Sequence, residues 1–136
     1  MKSRMILTAS LVAFLALSLG NLSAQEREID WKHVSKNLVK ALASENDGLR
    51  QSAMVMIVRH GDKLRVNDAV YDVMHIYRTH KDERVKQLAL ATLHKMESKW
   101  AMGFLRVDLR FQESEKLRRM VLAILQNYDA KRETAS

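Results

Sequence analysis

The fold is decided by one stretch in the second half of the chain, Val85-Lys86-Gln87-Leu88-Ala89-Leu90-Ala91-Thr92-Leu93-His94-Lys95-Met96. Within it, apolar and small residues recur at the i, i+3, i+4, i+7, i+8, i+11 spacing of one helix face. These residues are Val85, Leu88, Ala89, Thr92, Leu93 and Met96. Because a half-buried strand would alternate every second residue instead, the stretch predicts an amphipathic α-helix with one buried stripe.

The same stripe occurs once before this stretch and once after it. The earlier copy consists of Leu49, Ser52, Ala53, Met56, Ile57 and His60, and the later copy of Leu117, Met120, Val121, Ile124, Leu125 and Tyr128. The first residues of the three copies lie 36 and then 32 residues apart, and a basic residue follows each of them. The chain therefore contains an internal repeat.

A shorter amphipathic segment precedes each copy of the stripe. Its predicted buried positions are Val34, Leu38, Ala41 and Leu42 in the first unit, Val66, Ala69, Val70, Val73, Met74 and Tyr77 in the second, and Trp100, Phe104 and Val107 in the third. Helix pairs at such a period cannot each close a core alone, so they stack and bury a continuous one. We therefore predict an all-α fold of three helical hairpins, over residues 30–61, 62–97 and 98–130.

Short polar residues and glycines mark the expected turns. Asn46 or Asp47, Asp82 and Ser114 each precede a long segment, where a side-chain oxygen can accept a hydrogen bond from an unpaired helix N–H. Gly61 follows the first long segment and is predicted to be a left-handed C-terminal cap. Gly103 lies inside a predicted helix, so we expect another helix to approach closely there.

The segment Asp82-Glu83-Arg84-Val85-Lys86 resembles the opening of the second helix in HEAT repeats and their bacterial relatives. The first unit, Asp47-Gly48-Leu49-Arg50, is one residue tighter, and the third has Ser114 where the family usually has Asp. The resemblance covers nearly all of residues 25–136. It implies an α-solenoid whose second helices line a concave face that grips proteins or, in some members, nucleic acid. An antiparallel helical bundle is the structural alternative.

The N-terminus has the organisation of a secretory signal. Lys2 and Arg4 precede an apolar run from Met5 to Leu19, and Leu22-Ser23-Ala24 offers a small-residue cleavage site. We predict a signal peptide over residues 1–24, with a retained anchor as the alternative, because the run is short for a bilayer span. Cleavage would place residues 25–136, with a net charge reduced from +7 to +5, in the periplasm or outside the cell. Since the chain has no cysteine, its stability there must come from helix packing.

Candidate catalytic and metal-binding residues are few. Arg59-His60-Gly61 resembles the phospho-accepting motif of histidine phosphatases, but the residues before it have a helical period, and a helix end explains all three. His75 and His80 are five residues apart, which places them on different helix faces. We therefore predict no enzyme activity, no cofactor and no metal site.

The basic residues are the best candidates for binding. Arg50, Lys86 and Arg118 recur at one repeat position, Arg119 lies beside them, and together they predict a basic row along the second helices. In the alternative interpretation these cations only pair with turn acids such as Asp47, Asp82 and Glu115. Met54 and Met102 are the best candidates among the methionines for an adaptable apolar contact surface, although packing in the core is the favoured interpretation.

These features together predict a noncatalytic interaction or scaffold module of the bacterial envelope. The expected partner is another envelope protein, and the alternative is an anionic lipid surface or polymer. Export argues against nucleic acid, as does the expected placement of the aromatic residues at core or hairpin-end positions.

Overall fold

Residues 27–136 are described by a computed structural model, and within this range every regular element is helical. Its six α-helices are α1 (Trp31–Ala43), α2 (Asp47–His60), α3 (Val70–Thr79), α4 (Glu83–Met96), α5 (Lys99–Asp108) and α6 (Glu115–Thr134). Short 3₁₀ turns at Gly61–Lys63 and Asn67–Ala69 connect α2 to α3. The predicted all-α class is confirmed, whereas the predicted signal peptide lies outside the described residues. From residue 27 onward, no helix is both long enough and apolar enough to cross a membrane.

The long helices pack against one another in chain order. α2 packs on α4 and α4 packs on α6, while each short helix contacts the long helix that follows it. Helix α4 thus contacts α2, α3 and α6. Its side chains fill the middle of the core, where Ala89, Leu90, Thr92 and Leu93 are completely buried.

The predicted stripes of α3, α4 and α6 are confirmed in large part. All six predicted positions of the second short segment are buried, as are the central positions of α4 and α6. One addition is Leu90, which is fully buried although it lies off the predicted stripe of α4. A helix that has neighbours on three sides buries more than one stripe, so its apolar face is wider than the repeat pattern indicates.

The predicted stripe of α2 is wrong at its edges. Leu49 is 47% exposed and Ser52 is exposed, whereas the buried residues of this helix are Ala53, Met54 and Ile57. Met54 packs in the core, as the favoured interpretation of the methionines predicts, and it is fully buried because α2 lies between α1 and α4. Two neighbouring helices shift the buried arc of α2 away from the positions that the repeat register predicts.

The predicted buried face of α5 is also wrong. Trp100 and Val107 are 43% and 59% exposed, and the helix instead buries Ala101, Met102 and Leu105. Helix α5 has two apolar stripes, and the stripe that contains smaller and more flexible side chains faces the core. Met102 is therefore a core residue, again as the favoured interpretation of the methionines predicts.

The predicted N-caps are confirmed. Side-chain oxygens of Asn46, Asp82 and Ser114 accept hydrogen bonds from backbone N–H groups at 2.9, 2.8 and 3.3 Å. Ser98 caps α5 in the same way, with the N–H of Ala101 donating at 3.3 Å, and it was not predicted. Each cap satisfies one of the N–H groups that a helix start leaves unpaired.

A buried tyrosine links α3 to the end of α5. The hydroxyl of Tyr77 donates to Asp108 Oδ2 at 2.5 Å and accepts from Gln112 Nε2 at 2.8 Å. Burial, and then the neighbouring Asp108 carboxylate, raise the pKa of Tyr77 above its usual value, so the hydroxyl keeps its proton. The second and third hairpins are therefore joined by a directed polar contact as well as by packing.

Neither glycine has the role predicted for it. Gly61 has right-handed backbone angles, and among residues 27–136 the positive φ occurs at Glu97, at 49°. A Cβ at Gly61 would collide with Cγ of Lys95 and lie 2.9 Å from its Cε, because this side chain crosses the glycine to pair with Asp62 at 2.9 Å. A Cβ at Gly103 would meet nothing within 4 Å, so no element of the described chain approaches it closely.

We expect these glycines to respond to alanine in opposite directions. Gly103→Ala should raise the free energy of unfolding by about 1 kcal/mol, because alanine is the better helix former and the position is open. Gly61→Ala should lower it by about 1 kcal/mol, because the side chain of Lys95 must move. Urea denaturation measures both changes, and the additional substitution Lys95→Ala should remove most of the Gly61→Ala effect. Equal responses at the two glycines would contradict this assignment.

Candidate interaction surfaces

The basic residues of the three units occupy one equivalent helix position. The backbone N–H groups of Arg50, Lys86 and Arg118 donate to the carbonyl oxygens of the N-cap residues, at 3.0, 3.1 and 2.9 Å. Each residue therefore lies four positions after its N-cap. Because α2 packs on α4 and α4 on α6, these residues lie in the first turns of three successively packed helices.

The members of the predicted basic row have different local partners. Arg50 pairs with Asp47 and Arg119 with Glu115, both at 3.2 Å, as the alternative of pairing with turn acids predicts. Arg118 donates to the backbone oxygen of Gln112 at 2.9 Å. Lys86 is half-buried, and no described side chain forms an ion pair with it. The row is thus neutralised at Arg50 and Arg119 and retains its positive charge at Lys86 and Arg118.

Asp47 is the centre of a polar network between the first two hairpins. Its carboxylate lies 3.1 Å from His80 Nε2 and accepts from Gln51 at 2.7 Å and from Arg50. His80 Nδ1 accepts from the backbone N–H of Asp82 at 3.0 Å, so a neutral imidazole with its proton on Nε2 satisfies both contacts. The hydrogen bond from His80, reinforced by those from Gln51 and Arg50, holds the pKa of Asp47 below its usual value.

An open cleft of about 340 Å³ adjoins this network. Its lining consists of Arg50, His75, Ile76, Thr79, His80 and Lys81. Besides His80, three of these residues have a cationic or imidazole side chain. However, Arg50 is already paired with Asp47, and both ring nitrogens of His80 have partners. The cleft is therefore mainly the outer side of a structural network.

Two further histidines, His60 and His94, lie in the last turns of long helices. His60, from the phosphatase-like string, ends α2 and lies against Trp31, with ring centroids 5.4 Å apart. His94 is partly buried, and burial lowers its pKa, with Lys131 and Lys95 adding repulsion. Between residues 27 and 136, no group of three or more metal-type side chains comes together.

An exposed apolar cluster on the outside of the described chain was not predicted. We call this cluster the aromatic surface. It is formed by Tyr71 of α3 and by Trp100, Gly103, Phe104 and Val107 of α5. Tyr71 is 63% exposed and lies against Trp100, with ring centroids 4.5 Å apart, while Trp100 and Phe104 are 6.0 Å apart. The α5 residues line a shallow depression of about 690 Å³ that also includes Lys99.

Cations lie beside the aromatic surface on both α3 and α5. The guanidinium carbon of Arg78 lies 5.1 Å from the ring centroid of Phe104, in cation–π contact. Lys99, Arg106 and Arg110 are exposed on α5 and the turn after it. Arg106 pairs with Asp129 and lowers the pKa of that carboxyl. Cations of both helices therefore lie near the surface, although Arg106 is neutralised by Asp129 and the exposed Glu113 lies in the same turn as Arg110.

The sequence contained one signal for this surface. Helix α5 has apolar residues at two helical spacings, Trp100–Phe104–Val107 and Ala101–Met102–Leu105, although a short helix at the end of a stack needs only one. The larger residues were predicted to be buried, because aromatic side chains usually contribute most to a core. Only the packing shows that they are outside.

The chain was compared with protein-family models, with curated proteins and with solved structures, and no match was found.

We expect the Asp47 network to produce acid-sensitive stability. A carboxyl whose pKa is lowered on folding stabilises the fold above its unfolded pKa of about 4, and this contribution is lost as the pH falls through the folded pKa. Asp47→Asn should therefore lower stability at pH 7 and reduce the loss of stability below about pH 4. Urea denaturation at pH 7, 5 and 3 measures this, with the exposed Asp68→Asn as the control. An unchanged pH profile in Asp47→Asn would contradict the role of this network.

Proposed function

We propose that this chain is a noncatalytic interaction module that holds another protein in the bacterial envelope. The observation that carries the proposal is the aromatic surface, where Tyr71, Trp100 and Val107 are between 43% and 63% exposed beside a well-packed core. A contiguous apolar patch with a charged border is typical of a protein-binding site, because exposing it to water costs free energy that a partner recovers.

The proposed architecture is a short α-solenoid of three HEAT-like hairpins. The packing of α2 on α4 and of α4 on α6 supports it, since long helices of successive repeats are neighbours in such a stack. The equivalent N-caps, at spacings of 36 and 32 residues, support it as well. Export to the periplasm or beyond rests on the sequence of residues 1–24.

A second candidate function is binding to an anionic envelope surface, either lipid or polymer. Lys86 and Arg118 favour this candidate, because neither is in an ion pair with a described acid and both occupy the same position on neighbouring helices. The basic row would then be the contact, with Arg50 and Arg119 contributing less because they are already paired. Such binding would weaken steeply as the salt concentration rises.

A pull-down from the envelope fraction tests the first candidate. The tagged chain should retain one stoichiometric protein, and Trp100→Glu with Val107→Glu should reduce its recovery about tenfold, because two charges would then be buried in an apolar contact. Leu122→Glu is the matched control, since this exposed leucine lies on α6. Circular dichroism would check that every variant is folded.

Two further outcomes separate the candidates. If Arg50→Glu with Lys86→Glu abolishes capture while the aromatic variant does not, the basic row is the binding site. If no protein is retained but phosphatidylglycerol vesicles bind in a salt-sensitive manner, the anionic-surface candidate replaces the first. Retention that is equal for wild type and all variants would contradict the proposed function.

A further inference from the structure

A pocket of about 410 Å³ lies between the start of α1 and the connection from α2 to α3. Its lining consists of Trp31, Lys32 and Ser35 from α1, and of Lys63 and Arg65 from the connection. The volume is within the range of small-molecule sites, which is about 300–1,000 Å³. The lining includes cations from both sides and no acid, so the chemistry of this pocket favours an anion.

A buried hydroxyl holds the two sides of the pocket together. Ser35 is 4% exposed, and its Oγ donates to the carbonyl oxygen of Trp31 at 2.7 Å and accepts from the backbone N–H of Arg65 at 3.0 Å. The 3₁₀ turn Gly61–Lys63 fixes the connection just before this contact. The backbone of the connection is therefore placed beside α1 before any ligand binds, which lowers the entropy cost of binding.

The indole of Trp31 forms an apolar wall of the pocket. Nζ of Lys63 lies over this ring, 5.0 Å from its centroid, in cation–π contact. The ring centroid of His60 lies 5.4 Å from that of Trp31. These contacts fix the orientation of the indole and hold one ammonium group at the pocket. The wall, together with the carbon stems of the lysines, suits an organic group attached to an anion.

The cations of the pocket have no acid partner among the described side chains. None of the ion pairs between described residues includes a cation of this pocket. Asp62 and Asp68 flank the connection but do not line the pocket, and Asp62 is paired with Lys95 of α4 at 2.9 Å. Asp30 precedes Trp31 in the sequence and offsets at most one of the three positive charges. The pocket therefore keeps a surplus of positive charge.

We infer that this pocket binds the phosphate group of a small ester, with Lys32, Lys63 and Arg65 around the phosphate oxygens. A phosphate monoester carries a charge of about −1.5 to −2 at pH 7, so it matches several cations better than a carboxylate does. The guanidinium of Arg65 offers paired N–H donors to two phosphate oxygens, while the lysines act as point charges. The phosphate can belong to a soluble ester or to a lipid head group, since both present the same chemistry. This inference goes beyond the proposed function and does not depend on it.

A fluorescence titration with glycerol 3-phosphate tests the inference on the full chain. The chain has two tryptophans, so Trp100→Phe leaves Trp31 as the reporter, and Trp100 does not line the pocket. At low ionic strength the emission of Trp31 should change saturably, with a Kd on the order of 1 mM, because solvent weakens the attraction of exposed charges. Acetate at equal ionic strength should bind about tenfold more weakly, because it carries a single charge.

The matched substitutions are Arg65→Gln and Lys40→Gln. Each removes one exposed cation, but Lys40 lies in the last turn of α1 and does not line the pocket. Arg65→Gln should raise the Kd about tenfold, whereas Lys40→Gln should change it less than about twofold. Lys63→Gln with Arg65→Gln should abolish binding. Amide NMR shifts provide a readout that does not depend on tryptophan, and glycerol 3-phosphate should move the amide signals of Ser35 and Arg65.

Vesicles distinguish the two sources of the phosphate group. If the pocket takes a lipid head group, vesicles of phosphatidic acid in phosphatidylcholine should sediment with the wild-type chain and not with Lys63→Gln, Arg65→Gln. If the pocket takes a soluble ester, glycerol 3-phosphate should bind while these vesicles do not. Either outcome supports the inference and names the source.

Several results would overturn the inference. One is the absence of a saturable response to glycerol 3-phosphate up to about 50 mM. Another is an equal response to sodium chloride, and a third is an equal loss of binding in Arg65→Gln and Lys40→Gln, which would mean that only net charge matters. The failure of this site would leave the proposed function untouched, because capture through Trp100 and Val107 does not use these cations.

Discussion

The burial of α4 is the constraint on which the rest of the structure depends. This helix contacts α2, α3 and α6, and Ala89, Leu90, Thr92 and Leu93 have no exposed surface. Each large apolar side chain buried in this way contributes about 1.5–3 kcal/mol. Because the chain has no cysteine, there is no covalent link to replace this packing, and the first and third hairpins depend on the middle one.

The parts of the fold that could be predicted from the sequence are the helices that bury a single face in the core, and the helix caps. The stripes of α3 and α6 and the N-caps Asn46, Asp82 and Ser114 belong to this class, because spacing and cap chemistry are local. Helix α2 was predicted less well, because two neighbours bury a wider arc that includes Met54. Helix α5 has two apolar faces, and only tertiary packing chooses between them. The roles of Gly61 and Gly103 were predicted wrongly for a similar reason, since the proximity of Lys95 to Gly61 is a long-range contact.

Of the two candidate binding surfaces, the basic row was predicted from the sequence and the aromatic surface was not. The shared helix position of Arg50, Lys86 and Arg118 followed from the repeat register, and the structure places all three in the first turn of a long helix. Their local partners differ, because Arg50 pairs with Asp47 while Lys86 forms no ion pair with a described side chain. The aromatic surface could not be predicted, since it consists of residues that the core did not need. A stable stack with an unused aromatic face on its short helices suits a module that binds, and this remains a proposal along with the solenoid architecture and the envelope location.

Native-state amide hydrogen exchange tests most directly whether one continuous core joins the three hairpins through α4. The account predicts the slowest exchange at Leu90–Leu93, with a free energy of opening equal to that of global unfolding, and faster exchange on the outer side of α5. Leu93→Ala should then accelerate exchange in α2 and α6 together. If the first or third hairpin kept its protection while α4 opened, the hairpins would be independent units and the account would be wrong.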